Sequence, residues 1–379
     1  MKNEIVQTLL RIVLRIFWIF PIKNNQVVLT SFNGRLFNCS PKYLAIALAK
    51  HKEMIVYFAI KKQYDNKVSL PKNIQRVRYS SLKHFYLLMT SKYIVVNSTG
   101  ITGLLPYRKS QKLINTWHGA GAFKTAGVKI FKTKSAIRKR RLTANNTSYF
   151  LSSSREFTED QRVSMLLDID KFVESGLPRN DILFENHPEI RERVIERYGI
   201  DRDKRIILYA PTYRDGPVKS LIGYGFTPID VEKVINTCNN TFGVKFVFLF
   251  KAHHDMIPEN INSFCINASD YPDTQELLYA ADILITDYSS IQWDFALQRK
   301  PGFLYTPDIK EYISVHPLES DYHEWPFPTA LNNNELIDCI KQYDAQASKK
   351  RIDDYFVQMG SFDHGHATEI VLKQVFGIQ

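Results

Sequence analysis

The sequence predicts an α/β fold of two parallel-sheet domains, preceded by an amphipathic helix. Three observations carry this. Short apolar runs bounded by turn residues alternate with stretches of helical spacing, the pattern of strands joined by crossover helices. The alternation breaks at Gly176-Leu177-Pro178-Arg179-Asn180-Asp181 and a charged helix over 188–198, then restarts at Arg205. At 379 residues and 44% hydrophobic content, the chain can fill two ordinary cores. The expected division is a helix over 1–22, a first domain over 23–200, a second over 201–345, and a helical tail over 346–379 that packs back on the first domain.

In the N-terminal stretch 5–22, Glu4, Thr8, Arg11 and Arg15 recur at spacings of three or four, so they share one helical face. The stretch is short for a membrane span, with two arginines where the bilayer centre would be. No small-residue cleavage site follows it. A helix lying in a membrane interface fits this pattern.

Gln26-Val27-Val28-Leu29-Thr30 reads as the first strand, and Ser40-Pro41 opens a helix over 42–50. Strands are expected over 54–60, 93–97 and 113–117, with a helix over 82–90. The 113–117 strand runs into His118-Gly119-Ala120-Gly121. In open parallel sheets ligands sit beyond the carboxyl ends of the strands, so His118 is a candidate base. Strands over 149–152 and 172–175 close the first half.

In the second half, a strand over 205–210 leads to Thr212 and Arg214, a guanidinium placed to grip phosphate. A helix over 230–238 precedes a strand over 245–250, which ends at Lys251-Ala252-His253-His254. A helix opens at Pro272 and carries Glu276. Ile283-Leu284-Ile285 is then a strand buried on both faces, followed by Thr286-Asp287-Tyr288-Ser289-Ser290 and a helix from Ile291. Two hydroxyls at a helix start make an anion site, with phosphate as its guest.

The charge is uneven. The chain carries +11, yet the window 66–155 has no acidic residue and 18 Lys and Arg, leaving −7 for the rest. One region faces something anionic. Basic and apolar residues mix from Lys124 to Arg141, which favours lipid headgroups over nucleic acid. Four scattered cysteines argue against a zinc site or a disulfide framework and fit a reducing cytosol. No GxxxxGK[ST] is present, and no GxGxxG follows a strand.

Five blocks in order, Thr116-Trp117-His118-Gly119, the 176–181 turn, Leu208 to Asp215, Lys251-Ala252-His253, and Leu284 to Ser290 with Asp294-Phe295, resemble the CDP-glycerol glycerophosphotransferase family of teichoic-acid primases and polymerases. The resemblance implies a GT-B fold, two Rossmann-like domains facing across a cleft. It implies transfer of glycerol phosphate from CDP-glycerol to a hydroxyl of an undecaprenyl-type lipid-linked acceptor, with CMP leaving. It assigns catalysis to His118 at the acceptor hydroxyl and to His253 at the diphosphate. Arg214, Ser289 and Ser290 would hold the phosphates. Gly119, Arg179, Asn180, Asp181, Thr212, Asp215, Lys251, Glu276, Thr286, Asp287 and Asp294 are the remaining substrate-binding positions. No metal or cofactor is implied. The expected place is the cytoplasmic face of the cell membrane, as a peripheral protein. A ribitol-phosphate transferase using CDP-ribitol and a nucleotide-sugar glycosyltransferase are the alternatives.

Overall fold

The computed structural model describes residues 2–121, 125–212, 229–252 and 263–378. The chain divides into two units. The first comprises Met1–His118, Ala126–Asp181 and Phe362–Gln379, the second Gly119–Thr125 and Ile182–Ser361.

The first unit holds a seven-stranded sheet: β1 (Lys23–Thr30), β2 (Ile55–Ile60), β3 (Gln75–Arg78), β4 (Ser91–Val96), β5 (Lys112–Asn115), β6 (Thr147–Ser152) and β7 (Phe172–Glu174). Their order is β3-β2-β1-β4-β5-β6-β7, and each neighbouring pair is parallel. The second unit holds six strands: β8 (Arg205–Tyr209), β9 (Phe246–Phe250), β10 (Cys265–Asn267), β11 (Ile283–Thr286), β12 (Gly302–Tyr305) and β13 (Thr329–Ala330), in the order β10-β9-β8-β11-β12-β13, again all parallel. Numbered within its own unit, each sheet runs 3-2-1-4-5-6, with a seventh strand added at the edge of the first, the doubly wound order whose switch point lies between strands 1 and 4. The switch points are β1/β4 and β8/β11. Central strands are buried end to end, as Ile283–Thr286 is, because helices cover both faces.

The division falls after Asp181 rather than near residue 200. The helix Pro188–Tyr198 joins the second unit because the segment is tied there: the His187 amide donates to the Tyr279 hydroxyl at 2.7 Å, and Arg191 reaches Asp282 at 3.1 Å. The tail also splits. The helix Ala345–Met359 belongs to the second unit, where the Tyr355 hydroxyl meets the Trp293 indole N–H at 2.5 Å. Residues from Phe362 pack back on the first unit, where Asp363 accepts the Leu177 amide at 2.8 Å.

The N-terminus is a helix, Lys2–Leu14, continued by a 3-10 turn, Arg15–Ile19. Leu10, Leu14 and Phe17 pack on the core. Arg11 is drawn inward, donating to the Leu104 carbonyl, and burial lowers its pKa. Val6, Leu9, Ile12, Val13, Ile16 and Ile19 are left exposed. Among the described residues no helix is long and apolar enough to cross a membrane.

Candidate functional site

Each switch point carries the same device. In the first unit the Phe32 amide, just past β1, donates to Asn97 Oδ1, just past β4, at 2.8 Å. In the second the Thr212 amide, past β8, donates to Asp287 Oδ1, past β11, at 2.8 Å. A backbone N–H after strand 1 is thus fixed by a side-chain oxygen after strand 4, which stiffens the loops at the switch point of each unit.

His118 stands exposed beyond β5. Its Nδ1 lies 2.8 Å from the Asn97 carbonyl oxygen. A carbonyl only accepts, so Nδ1 carries the proton and the neutral ring is basic at Nε2. The ring is held from two sides, by Trp117 at 4.7 Å between centroids and by Phe32 edge-on at 5.8 Å. Buried Arg179 donates from Nη1 to the His118 carbonyl at 2.8 Å and lies 3.5 Å from Cys39 Sγ. Phe32, Asn33, Cys39 and Trp117 all have left-handed φ, between 45° and 56°. Such backbone costs of order 1–3 kcal/mol per residue and collects where a site needs it.

In the second unit the Ser289-Ser290 turn is anchored at both ends. Before it, Thr286 Oγ1 donates to the Ala210 carbonyl at 2.7 Å, and Asp287 holds Thr212. After it, Asp294 Oδ2 accepts Gln275 Nε2 at 2.9 Å. Tyr288 is buried, stacked on Tyr312 at 3.7 Å with its hydroxyl on Asp308 at 3.0 Å. Ser290 makes no side-chain capping bond, so its hydroxyl is not spent on its own helix. That helix, Ile291–Ala296, has only six residues. The anion reading therefore rests on the hydroxyls and not on a macrodipole. A Cβ on Gly119 would lie 2.9 Å from Ser290 Oγ, so glycine there admits the serine.

The other expected positions hold the frame. Asp181 accepts the Ala367 and Thr368 amides at 2.9 and 2.8 Å, Asn180 is buried 3.5 Å from Asp363, and Glu276 accepts the Tyr271 hydroxyl at 2.7 Å. Lys251, past β9, donates to the Tyr271 carbonyl at 3.0 Å, and burial pushes its pKa down to about 8. Arg214, Asp215 and His253 lie outside the described residues. Among the described residues no cluster of His, Cys, Asp and Glu is placed to hold a metal.

Sequence reasoning missed Asn97, Phe32 and Cys39, whose roles depend on backbone conformation. It also missed Gln292, fully buried, with neither end of its amide hydrogen bonded. A polar residue at the end of an apolar strand was the available signal for Asn97.

The sequence model of the CDP-glycerol:poly(glycerophosphate) glycerophosphotransferases matches residues 12–377. The chain belongs to this family. It is 30% identical over 390 residues to a teichoic acid poly(glycerol phosphate) polymerase of Bacillus spizizenii, covering 97% of this chain and 95% of that one. A teichoic acid poly(ribitol-phosphate) polymerase of the same species is 28% identical over 95% of this chain, which spans 57% of that relative. A solved structure of the wall teichoic acid polymerase TagF superposes with a TM-score of 0.80 at 25% identity, covering 98% of this chain and 96% of that one. The α/β fold is that of the glycerophosphotransferase family, and the chain is an enzyme of this transferase class.

Proposed function

We propose that this glycerophosphotransferase-family enzyme moves glycerol phosphate from CDP-glycerol to a hydroxyl of a membrane-anchored, lipid-linked acceptor. The observation that carries the reading is the fixed tautomer of His118. With Nδ1 protonated against Asn97, Nε2 takes the proton of the attacking hydroxyl. The hydroxyl oxygen bonds to the distal phosphorus, the P–O bond to the proximal phosphate breaks, and CMP leaves with that electron pair. Ser289 and Ser290 donate to the diphosphate oxygens, with Arg214 and His253 as the charged partners of the same group. Asp287, Asp294 and Thr286 act by holding the serine turn, and Arg179 by holding the His118 backbone.

A donor screen tests this. CDP-glycerol, CDP-ribitol and a UDP-sugar are each incubated with a lipid-linked acceptor and the product is weighed. A product heavier by one glycerol phosphate, with CMP released, is expected. The similarity to a ribitol-phosphate polymerase makes CDP-ribitol the second donor, and its exclusive use would replace the glycerol assignment.

The exposed apolar side of residues 6–19 and the basic stretch ending at Arg141 support peripheral attachment to an anionic membrane face. Deleting residues 1–22 should move the protein from anionic liposomes to the supernatant. Equal sedimentation before and after deletion would remove the attachment from the proposal.

A further inference from the structure

Within the first unit a cavity of about 260 Å³ opens between the loop after β4 and the helix Lys134–Asn146. Thr99, Gly100 and Leu104 line it from the loop, Phe131 from the segment before the helix, and Lys139 and Arg140 from the helix. Among the described residues no carboxylate lines it. Burial lowers the Arg140 pKa, the mark of a cation held partly out of water with no anion beside it. The walls are stiff: Asn146 Nδ2 donates to the Gly103 and Leu105 carbonyls at 3.0 and 2.8 Å, and a Cβ on Gly103 would lie 2.9 Å from Thr143.

The loop that forms this wall connects two other features. At its start, Asn97 holds the His118 ring. Further on, the Leu104 carbonyl accepts Arg11 from the N-terminal helix, whose outer face is apolar. Phe131 lines the cavity and is itself exposed, as are Ile101 and Ile130, the chain neighbours of the lining residues Gly100 and Phe131. A cationic cavity thus lies along the wall that joins an apolar outer surface to the catalytic histidine, all within one unit.

We infer that this cavity binds a phosphate carried on a lipid, the phosphate of the membrane-anchored acceptor, and so sets how far the acceptor hydroxyl projects toward His118. The acceptor part rests on the function proposed above. Lys139 and Arg140 pair with the phosphate, the apolar rim takes the first carbons of the lipid, and the loop backbone fixes the depth.

The test uses the full-length protein and monomeric dihexanoyl phosphatidic acid, followed by calorimetry, with inorganic phosphate and dihexanoyl phosphatidylcholine as comparisons. Phosphatidic acid is expected to bind. The double variant Lys139→Gln/Arg140→Gln should weaken it by roughly 10–100-fold, the worth of one or two charge-assisted bonds. Ala136→Phe, which fills the cavity and keeps both charges, should do the same. Arg138→Gln/Arg141→Gln removes equal charge from the exposed side of the helix and should change binding less than about twofold. Equal loss in the two double variants would reduce the site to bulk charge and overturn the inference. Inorganic phosphate binding as tightly as the lipid would overturn the lipid part. A second arm reads the acceptor KM in vesicles at saturating protein–membrane association, where the Lys139→Gln/Arg140→Gln variant should show a raised acceptor KM with the donor KM unchanged. An unchanged acceptor KM would assign the cavity to bulk lipid and overturn its acceptor role. If no donor supports transfer, the proposed function fails while the phosphatidic acid titration still decides the cavity.

Discussion

The carbonyl oxygen of Asn97 lies 2.8 Å from Nδ1 of His118 and decides which ring nitrogen is basic. Replacing the histidine removes the proposed base and leaves the serine turn of the second unit intact. His118→Ala should lower kcat by about 10²–10⁴-fold, with CDP-glycerol affinity near that of the parent enzyme. His253→Ala should lower turnover and weaken CMP binding as well. Turnover and calorimetric affinity for each variant check this, with circular dichroism to confirm folding. Full activity in His118→Ala would remove the mechanism's centre.

The close approach of Gly119 to Ser290 gives a second, local prediction. A methyl group at residue 119 would lie 2.9 Å from Ser290 Oγ and 3.1 Å from its Cβ, so the serine must move. Gly119→Ala should weaken CDP-glycerol binding by about tenfold, the loss of one hydrogen bond to a charged group. Ser289→Leu/Ser290→Leu should abolish binding without unfolding, because both residues are partly exposed. An unaltered dissociation constant in the double variant would reject the phosphate assignment.

These two sites differ in how far the sequence reveals them. Strands such as Val27–Leu29 and Ile283–Thr286 are legible because a sheet covered on both faces demands unbroken apolar runs. The edge strand Gln75–Arg78 is not, since an edge carries charge to block further pairing. The polar helix Arg155–Met165 likewise shows no apolar run to betray it. His118 and Ser290 follow the carboxyl ends of β5 and β11, the positions that make them candidates in the sequence. Asn97 holds Phe32 through a side chain whose polar type is visible in the sequence, but it holds His118 through its backbone carbonyl, and Trp117 acts through a φ of 54°, neither of which is written in residue type. The domain boundary was displaced because the charged helix 188–198 looks like a linker but is bound by Tyr279 and Asp282, far along the chain.

His84 gives a pH dependence. It is buried in the first unit, its Nδ1 accepts the Ser80 amide at 3.1 Å, and burial pushes its pKa down to about 4. The folded state keeps the ring neutral where the unfolded chain, with a pKa near 6.5, already binds a proton. Stability is therefore intact above pH 6.5 and falls as pH drops toward 4, by about 3 kcal/mol in all. Denaturant midpoints at pH 7 and pH 4.5 should differ more for the parent than for His84→Gln. Equal pH dependence in the two proteins would count against this residue as the source.

Gln292 separates stability from function. It follows the serine turn, is fully buried, and neither its Oε1 nor its Nε2 is hydrogen bonded. An unsatisfied buried amide costs about 1–3 kcal/mol. Gln292→Leu has nearly the same volume and removes that cost, so the variant should melt higher than the parent. If the amide serves only packing, activity should stay or improve. If it reads the donor, the more stable variant should bind CDP-glycerol more weakly, as happens where a site keeps a polar group at the expense of the fold. The second outcome is expected, because the amide sits two residues beyond Ser290 on a turn held rigid by Asp287 and Asp294. Melting temperature and donor affinity measured on the same preparation decide it, and a variant both less stable and equally tight in binding would show that the amide belongs to the core.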